Sequence, residues 1–467
     1  MKYDMVVSNC RAVLPQGVTS KVSIGILDGK IAALNIGSNI DTEAKERIDA
    51  LEMLVIPGSI DTHVHTQTRV GTETFHNATV AAAKGGVTTI VDMPFDHPPT
   101  LTHRLLKEKI SRALESACVD FALYGGFTGE GDGLEEIVPQ VEEGVVGFKL
   151  MTDQALTKER YPGLDPGAQL EAMEIIAKCD SLATVHTENP FIVGRLTNKL
   201  KRAGREDAAA WEEVRPVIAE LEPLSRTLLF ARWTKCRTCI AHVSIPEGID
   251  FIKEAKRSGY NVYAETLPQL LLIPNLSKSG DRRCKFIPPS RDEQRREELW
   301  KKLADGDINV VGSDHTPYPK DMTKNVWEMA GGAGNLLEII LPLMLSEGAS
   351  KRGLPIVRMV EVLSTGPAKM LGLYPKKGCI ALGSDGDLVI IDTNDEWEIR
   401  ADKLEYDKTY IDYCRNNGIT DKWSAFEGWK VRGRIKKVLL RGRVISDNGN
   451  LCGSPGIGKM VKPLKAD

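Results

Sequence analysis

Long apolar runs are missing from this chain. The longest, LLEIILPLML, is broken by Glu338 and Pro342, so no segment reads as a membrane-spanning helix. Charge of one sign is not in excess either. Lys and Arg number 61, Asp and Glu 64, and they are mixed along the chain for a net charge of −3. That excludes the clustered basic face a nucleic-acid surface needs. The opening MKYDMVVSNCRAV carries no apolar core of signal-peptide length. The nine cysteines are scattered and odd in number. They argue against a disulfide framework and fit reduced thiols, so a cytoplasmic location is expected. Histidine is scarce, at eight in 467 residues, and the placement of those few is the most informative feature present.

A chain of 467 residues with 42% hydrophobic content suits one large domain and a smaller one. The ends resemble each other. YDMVVSNCRAVL, KVSIGILDG and KIAALNIG near the start, and GDLVIIDT and KKVLLRGRVISDNGNL near the finish, all read as strands separated by turns. One small β-sandwich built from residues 1–53 and 375–467 is expected, enclosing a domain over 54–374.

That middle alternates short apolar segments with helical stretches. Strands are expected near LVIPGSIDTHVH, GVTTIVDM, DFALYGGF, GVVGFKLM, SLATVHTE, RTCIAHVS, NVYAETLP and INVVGSDHT. Runs such as ETFHNATVAAAKG, HRLLKEKISRALESA, GAQLEAMEIIAKC and EGIDFIKEAKRSG read as the intervening helices. Eight such repeats point to a (β/α)8 barrel, an α/β fold, over an open doubly wound sheet. His63, His65, Lys149, His186, His242 and Asp314 fall at or near the ends of expected strands 1, 4, 5, 6 and 8. Barrel active sites are built at that rim.

The residue types suit a metal centre. Residues two apart on a strand share a face, so His63 and His65 can both present an imidazole nitrogen to one ion. His186 and His242 each end a strand, and a carboxylate at Asp314 could bind metal and move protons. Lys149 lies in VVGFKLM, where alternation turns it inward. A charged, unpaired lysine there would be costly. It is either paired with a buried carboxylate, or a neutral amine that has added CO2 to become an anionic carbamate able to bridge two cations. The lone pair Cys236 and Cys239 points to opposite faces and carries no metal role. His76 and His103 read as surface residues, His97 as a candidate substrate contact in PFDHPPT, and His315 as a support for Asp314.

GSIDTHVH, GGVTTIVDMP, GFKLM, VHTEN, AHVS, AETLPQ, IPPSR, GSDHTP and GPAKMLGLYPKKGCIALGSDGDLVIID, taken in order, resemble the cyclic amidohydrolases: hydantoinase, dihydropyrimidinase, allantoinase and dihydroorotase. The resemblance covers nearly the whole chain. It implies a (β/α)8 barrel with a terminal β-sandwich domain and two divalent ions, zinc being the expected metal. His63, His65 and Asp314 would hold one ion, and His186 and His242 the other, with carboxylated Lys149 as the bridge. It implies a small cyclic amide as substrate, gripped by Phe95, Thr152, Ile287, Gly331 and Gly332, with Asp314 as the catalytic proton carrier, and a homo-oligomer, tetramer or dimer. A metal-free, catalytically dead scaffold of the dihydropyrimidinase type would lack several ligands, whereas all of them are present here.

Departures narrow the substrate. Gln67 stands where dihydroorotases carry an Arg for the substrate carboxylate, and Phe95 where they favour Asn. The run Met151-Thr152-Asp153-Gln154 lacks the Tyr that D-hydantoinases and dihydropyrimidinases carry after the lysine. The rim segments look closest to L-hydantoinases, with allantoinase the alternative. The loops Thr66–Thr74, Phe95–Pro99 and Thr152–Pro166 would surround the ring substituent. Phe95, Leu156 and Tyr161 favour an apolar group there, and Arg69, His97 and Arg160 a polar or anionic one.

Overall fold

The computed structural model describes residues 2–68, 73–152 and 161–464. Eight parallel strands form one sheet: β1 (Ser59–Val64), β2 (Val87–Asp92), β3 (Asp120–Gly125), β4 (Gly147–Met151), β5 (Leu182–His186), β6 (Arg237–Ile240), β7 (Val262–Thr266) and β8 (Val310–Val311). Each pairs with the next in sequence order. The seam between β8 and β1 is closed by backbone bonds from His65 N to His315 O at 3.0 Å and from His315 N to His63 O at 3.2 Å. Asp61 reinforces it by accepting from Ser313 N at 3.0 Å and His63 N at 3.1 Å. The sheet is therefore a barrel, as the eight repeats imply.

The strands are buried along nearly their whole length, with only Arg237 and Tyr263 half-buried, because both faces are covered. VTTIVD of β2, DFALYG of β3 and GFKLM of β4 are buried at every position. Such runs are continuous rather than alternating in polarity. Ile60, Val91, Ala122, Tyr124, Leu182, Cys239 and Val310 share one core cluster, while Ala82, Val87, Ile90, Phe121 and Ala183 belong to a larger cluster with the helices. The four expected helices form at Phe75–Lys84, His103–Ser116, Pro166–Lys178 and Pro246–Arg257. Their starts are set by sequence. Thr74, Thr102 and Asp165 each accept from a first-turn N–H, and Pro166 and Pro246 open helices where the missing donor costs nothing.

Both termini build a second, nine-stranded mixed sheet. Tyr3–Leu14, Gly17–Leu27, Lys30–Ile36 and Ala44–Asp49 come from one end, and Leu388–Glu398, Lys430–Leu440, Arg443–Asp447 and Asn450–Leu451 from the other. Leu54–Pro57 lies between the two sets, parallel to the first strand and antiparallel to Leu388–Glu398. The stretch LVIPGSIDTHVH thus holds two strands, one in each sheet, divided at Gly58. A Cβ on Gly58 would fall 2.0 Å from the Thr88 hydroxyl, so only glycine allows this crossing.

Candidate active site

All six predicted metal-site residues meet at the barrel rim. His63 is 1% exposed, and its Nδ1 lies 2.8 Å from Glu265 Oε2. That contact fixes the ring and turns Nε2 toward the centre, 3.4 Å from Asp314 Oδ1 and 3.4 Å from Lys149 Nζ. His65 Nε2 is 3.2 Å from the same Asp314 oxygen. Donor atoms of His63, His65 and Asp314 all fall within 4.8 Å of one another, a spacing that could hold a metal ion. His186 Nδ1 and His242 Nε2 approach to 3.0 Å, and the His63 and His242 ring centroids are 5.4 Å apart. The second pair of imidazoles therefore lies beside the first, on the cavity that Lys149 also lines.

Burial sets the protonation of this group. It holds His63 and His242 well below the ordinary histidine range and His65 below it, so their rings are neutral and carry lone pairs. Burial opposes the Asp314 carboxylate, but His63, His65 and Lys149 outweigh it and keep the group ionised. Burial also brings the Lys149 amine down to about 8, although Glu265 and Asp314 pull the other way. Among the described residues, no carboxylate oxygen lies within salt-bridge distance of Lys149 Nζ. Among those residues the paired-lysine alternative finds no partner.

Strand alternation does not aim two of these side chains. His242 and Asp314 have φ of 38° and 50°, in the left-handed region that residues with a Cβ avoid. Such backbone is held by surrounding structure and gathers at functional sites. His242 N donates to Glu265 Oε2 at 3.2 Å, which helps to hold that turn. Glu265 also accepts from the Thr62 hydroxyl at 2.6 Å, and burial pushes its carboxyl up to about 7. Its role was missed from sequence, although its place in AETLPQ at the end of β7 was a usable signal.

The site opens into a cavity of about 330 Å³. Phe95, Ile287, Gly331 and Gly332 line it, together with Trp211, Lys285, Tyr318 and Trp327, which sequence did not single out. Gly332 has φ of 108°, and a Cβ there would meet the Thr316 hydroxyl at 2.5 Å, so the rim needs glycine. Thr152 does not line the cavity. Its hydroxyl is committed to His186 O at 3.0 Å and Glu188 O at 2.9 Å. Phe95 sits edge-on to His65 at 5.0 Å and stacks on Tyr161 at 4.4 Å. The Tyr161 hydroxyl donates to Lys149 O at 2.6 Å. Tyr161 thus braces the lysine's own backbone. His97 is exposed and away from the lining. Arg69, Leu156 and Arg160 lie outside the described residues.

The remaining histidines are structural. His76 bonds Ser116 O at 2.9 Å and His103 pairs with Glu143 at 2.8 Å. His315, buried behind Asp314, is held between Glu73 and Leu336 N. Cys236 and Cys239 fall in different core clusters.

Two segments carry the outer wall, residues 285–287 and 329–332, and buried Lys320 ties them together. It donates to Arg283 O and Gly332 O, both at 2.8 Å, and reaches Lys285 O at 3.4 Å. Lys320→Met would take that donor from the Arg283 and Gly332 carbonyls, while Lys285 O would still accept from Gly332 N at 3.1 Å. The substitution should destabilise the fold by roughly 1–3 kcal/mol in chemical denaturation, the usual cost of stranding buried acceptors. An unchanged midpoint and slope would mean that Lys320 is not a tie.

Known proteins match this chain along nearly its whole length. The family model described as "Amidohydrolase family" matches residues 54–445. An L-hydantoinase of Paenarthrobacter aurescens is 36% identical over 98% of both chains. An allantoinase of Bacillus licheniformis is 33% identical over 99% of this chain and all of that one. Among solved structures, an L-hydantoinase (dihydropyrimidinase) from Arthrobacter aurescens superposes with a TM-score of 0.90 at 35% identity, covering 98% of this chain and 100% of that one. A D-hydantoinase from Thermus sp. gives 0.85 at 26% identity, covering 98% and 99%. With the family model spanning the barrel and relatives matching from end to end, the chain belongs to the amidohydrolase family.

Proposed function

We propose that this protein opens the ring of 5-monosubstituted hydantoins, giving N-carbamoyl amino acids, with a preference for the L enantiomer. The observation that carries the reading is the meeting at one end of the barrel of four imidazoles, one carboxylate and an amine that has no carboxylate partner among the described residues. Imidazole nitrogens, kept neutral by burial at His63, His65 and His242, and an ionised carboxylate are donors that zinc and similar ions take. His63, His65 and Asp314 would hold one divalent ion, and His186 and His242 a second. A carbamate on Lys149, formed from CO2 and the neutral amine, would serve both. Such ions supply, when bound, Lewis-acid activation of water and of the amide carbonyl.

The chain's own groups do the rest. Asp314 takes a proton from the attacking water and returns it to the departing ring nitrogen. Glu265 holds His63 through Nδ1 and His242 through its backbone, which fixes two imidazoles before substrate arrives. Main-chain groups at Ile287 and Gly331–Gly332 receive the planar ring at little reorganisation cost, while Phe95 covers one side of it. A homo-oligomer, tetramer or dimer, and a cytoplasmic location accompany this reading.

A substrate panel tests it: hydantoin, both enantiomers of benzylhydantoin, carboxyethylhydantoin, dihydrouracil, allantoin and dihydroorotate, compared by kcat/KM. Substituted hydantoins should lead, allantoin should be slower and dihydroorotate negligible. The last follows from Gln67 and Phe95, which place no cation where dihydroorotases hold a carboxylate carried directly on the ring, as distinct from one on a longer side arm. The similarity to allantoinases supports a second reading. If allantoin exceeds every hydantoin tenfold, about 1.4 kcal/mol of transition-state preference, that reading replaces this one.

A further inference from the structure

Lys285 lines the same cavity as the metal-site residues and is 3% exposed. Its ammonium donates to Met329 O and lies 4.0 Å from the centre of the Trp211 ring. Among the described residues, no carboxylate oxygen lies within salt-bridge distance of its Nζ. The Arg215 guanidinium packs against the same tryptophan at 3.5 Å, but Arg215 has Glu188 at 3.3 Å. Of the acids on the lining, Asp314 is engaged by His63 and His65, and Glu328 is exposed at the rim. A lysine carries three donor hydrogens, and here the protein accounts for one with a carbonyl and offers a ring face to the charge.

Burying a cation without a counter-charge is costly, and a protein retains such a group where something else supplies the charge. Trp211 and Met329, which hold that amine, line the same cavity, so an anion reaching Lys285 would come from there. We propose that Lys285 is a specificity residue that receives a carboxylate on the substituent of the substrate ring, so that the preferred hydantoins carry an anionic side arm. This rests on the hydantoinase reading and deepens it. A carboxylate delivered there forms a charge-assisted bond in a site already stripped of water, where such a bond is stronger than in solvent. Burial together with Arg215 brings the free amine down to about 7, so an arriving anion would also draw a proton onto it. Met329 O and Trp211 hold the amine in place beforehand, which lowers the ordering cost of binding.

The test compares 5-carboxyethylhydantoin with 5-propylhydantoin, which matches it in chain length without the charge. In the parent enzyme, the ratio of kcat/KM should favour the carboxyethyl compound by tenfold or more. Lys285→Met should lower that ratio at least tenfold, and Lys285→Arg should keep most of it. A merely structural strut would slow both substrates alike and leave the ratio unchanged. A parent ratio at or below one, or a high ratio that survives Lys285→Met, overturns the proposal. If the methionine variant does not fold, the parent ratio and the arginine variant decide. If neither hydantoin is turned over, the hydantoinase reading fails, and calorimetric Kd values for the same two compounds still decide the role of Lys285.

Discussion

Asp314→Asn should fold as the parent does, keep much of its metal and lose turnover by roughly 10²–10⁴-fold, the range expected when a positioned proton carrier is removed. The substitution is nearly isosteric, and the amide oxygen can still face His63 Nε2 and His65 Nε2, now 3.4 and 3.2 Å from Asp314 Oδ1. What is lost is the charge and the basicity. The surroundings keep this group ionised against the cost of burial, so the enzyme presents a carboxylate and not an acid. An amide can neither take the water proton nor return one to the ring nitrogen. The loss should fall on kcat and kcat/KM together, since it concerns the transition state more than ground-state binding. Steady-state kinetics beside elemental analysis checks this. Unchanged kcat with normal metal would move the proton-transfer role away from Asp314.

Lys149→Ala should have a comparable effect by a different route. The side chain is 2% exposed, sits 3.4 Å from His63 Nε2 and has no carboxylate partner among the described residues. An ordinary structural lysine in such a position would be expected to hold a buried anion. Removing this one takes away the proposed bridge, so metal content and activity should fall together, activity by about a thousandfold or more if the whole cation-based activation is lost. Short carboxylic acids added with metal should restore part of the activity by occupying the space of the carbamate. Full activity in Lys149→Ala would end the bridging role. Loss of activity with normal metal and no rescue would reassign Lys149 to substrate binding.

Much of this is legible in the sequence alone. The eight apolar segments predicted the barrel because strands buried on both faces have no polar alternation to hide them. The site residues were readable because imidazoles, a carboxylate and a lysine at strand ends are out of place in a core. Other parts depend on contacts between segments far apart in sequence. Glu265 serves a histidine 202 positions away, and Lys320 joins two loops through backbone carbonyls, so neither leaves a local pattern. Tyr161, expected beside the substituent, instead reaches back to Lys149 O. Thr152, expected at the substrate, turns its hydroxyl to the last residue of β5 and the chain just after it. Lys285 was passed over because an isolated lysine in KFIPPSR looks like any surface lysine until Trp211 packs against it.

The central claim is that the gathered histidines, Asp314 and Lys149 hold two divalent cations on which activity depends. Elemental analysis of the purified enzyme, with hydantoin hydrolysis followed on the same samples through chelation and reloading, tests it most directly. Close to two divalent ions per chain, activity lost with them and regained on their return, is the predicted result. Full hydrolytic activity in protein carrying no stoichiometric metal would contradict it.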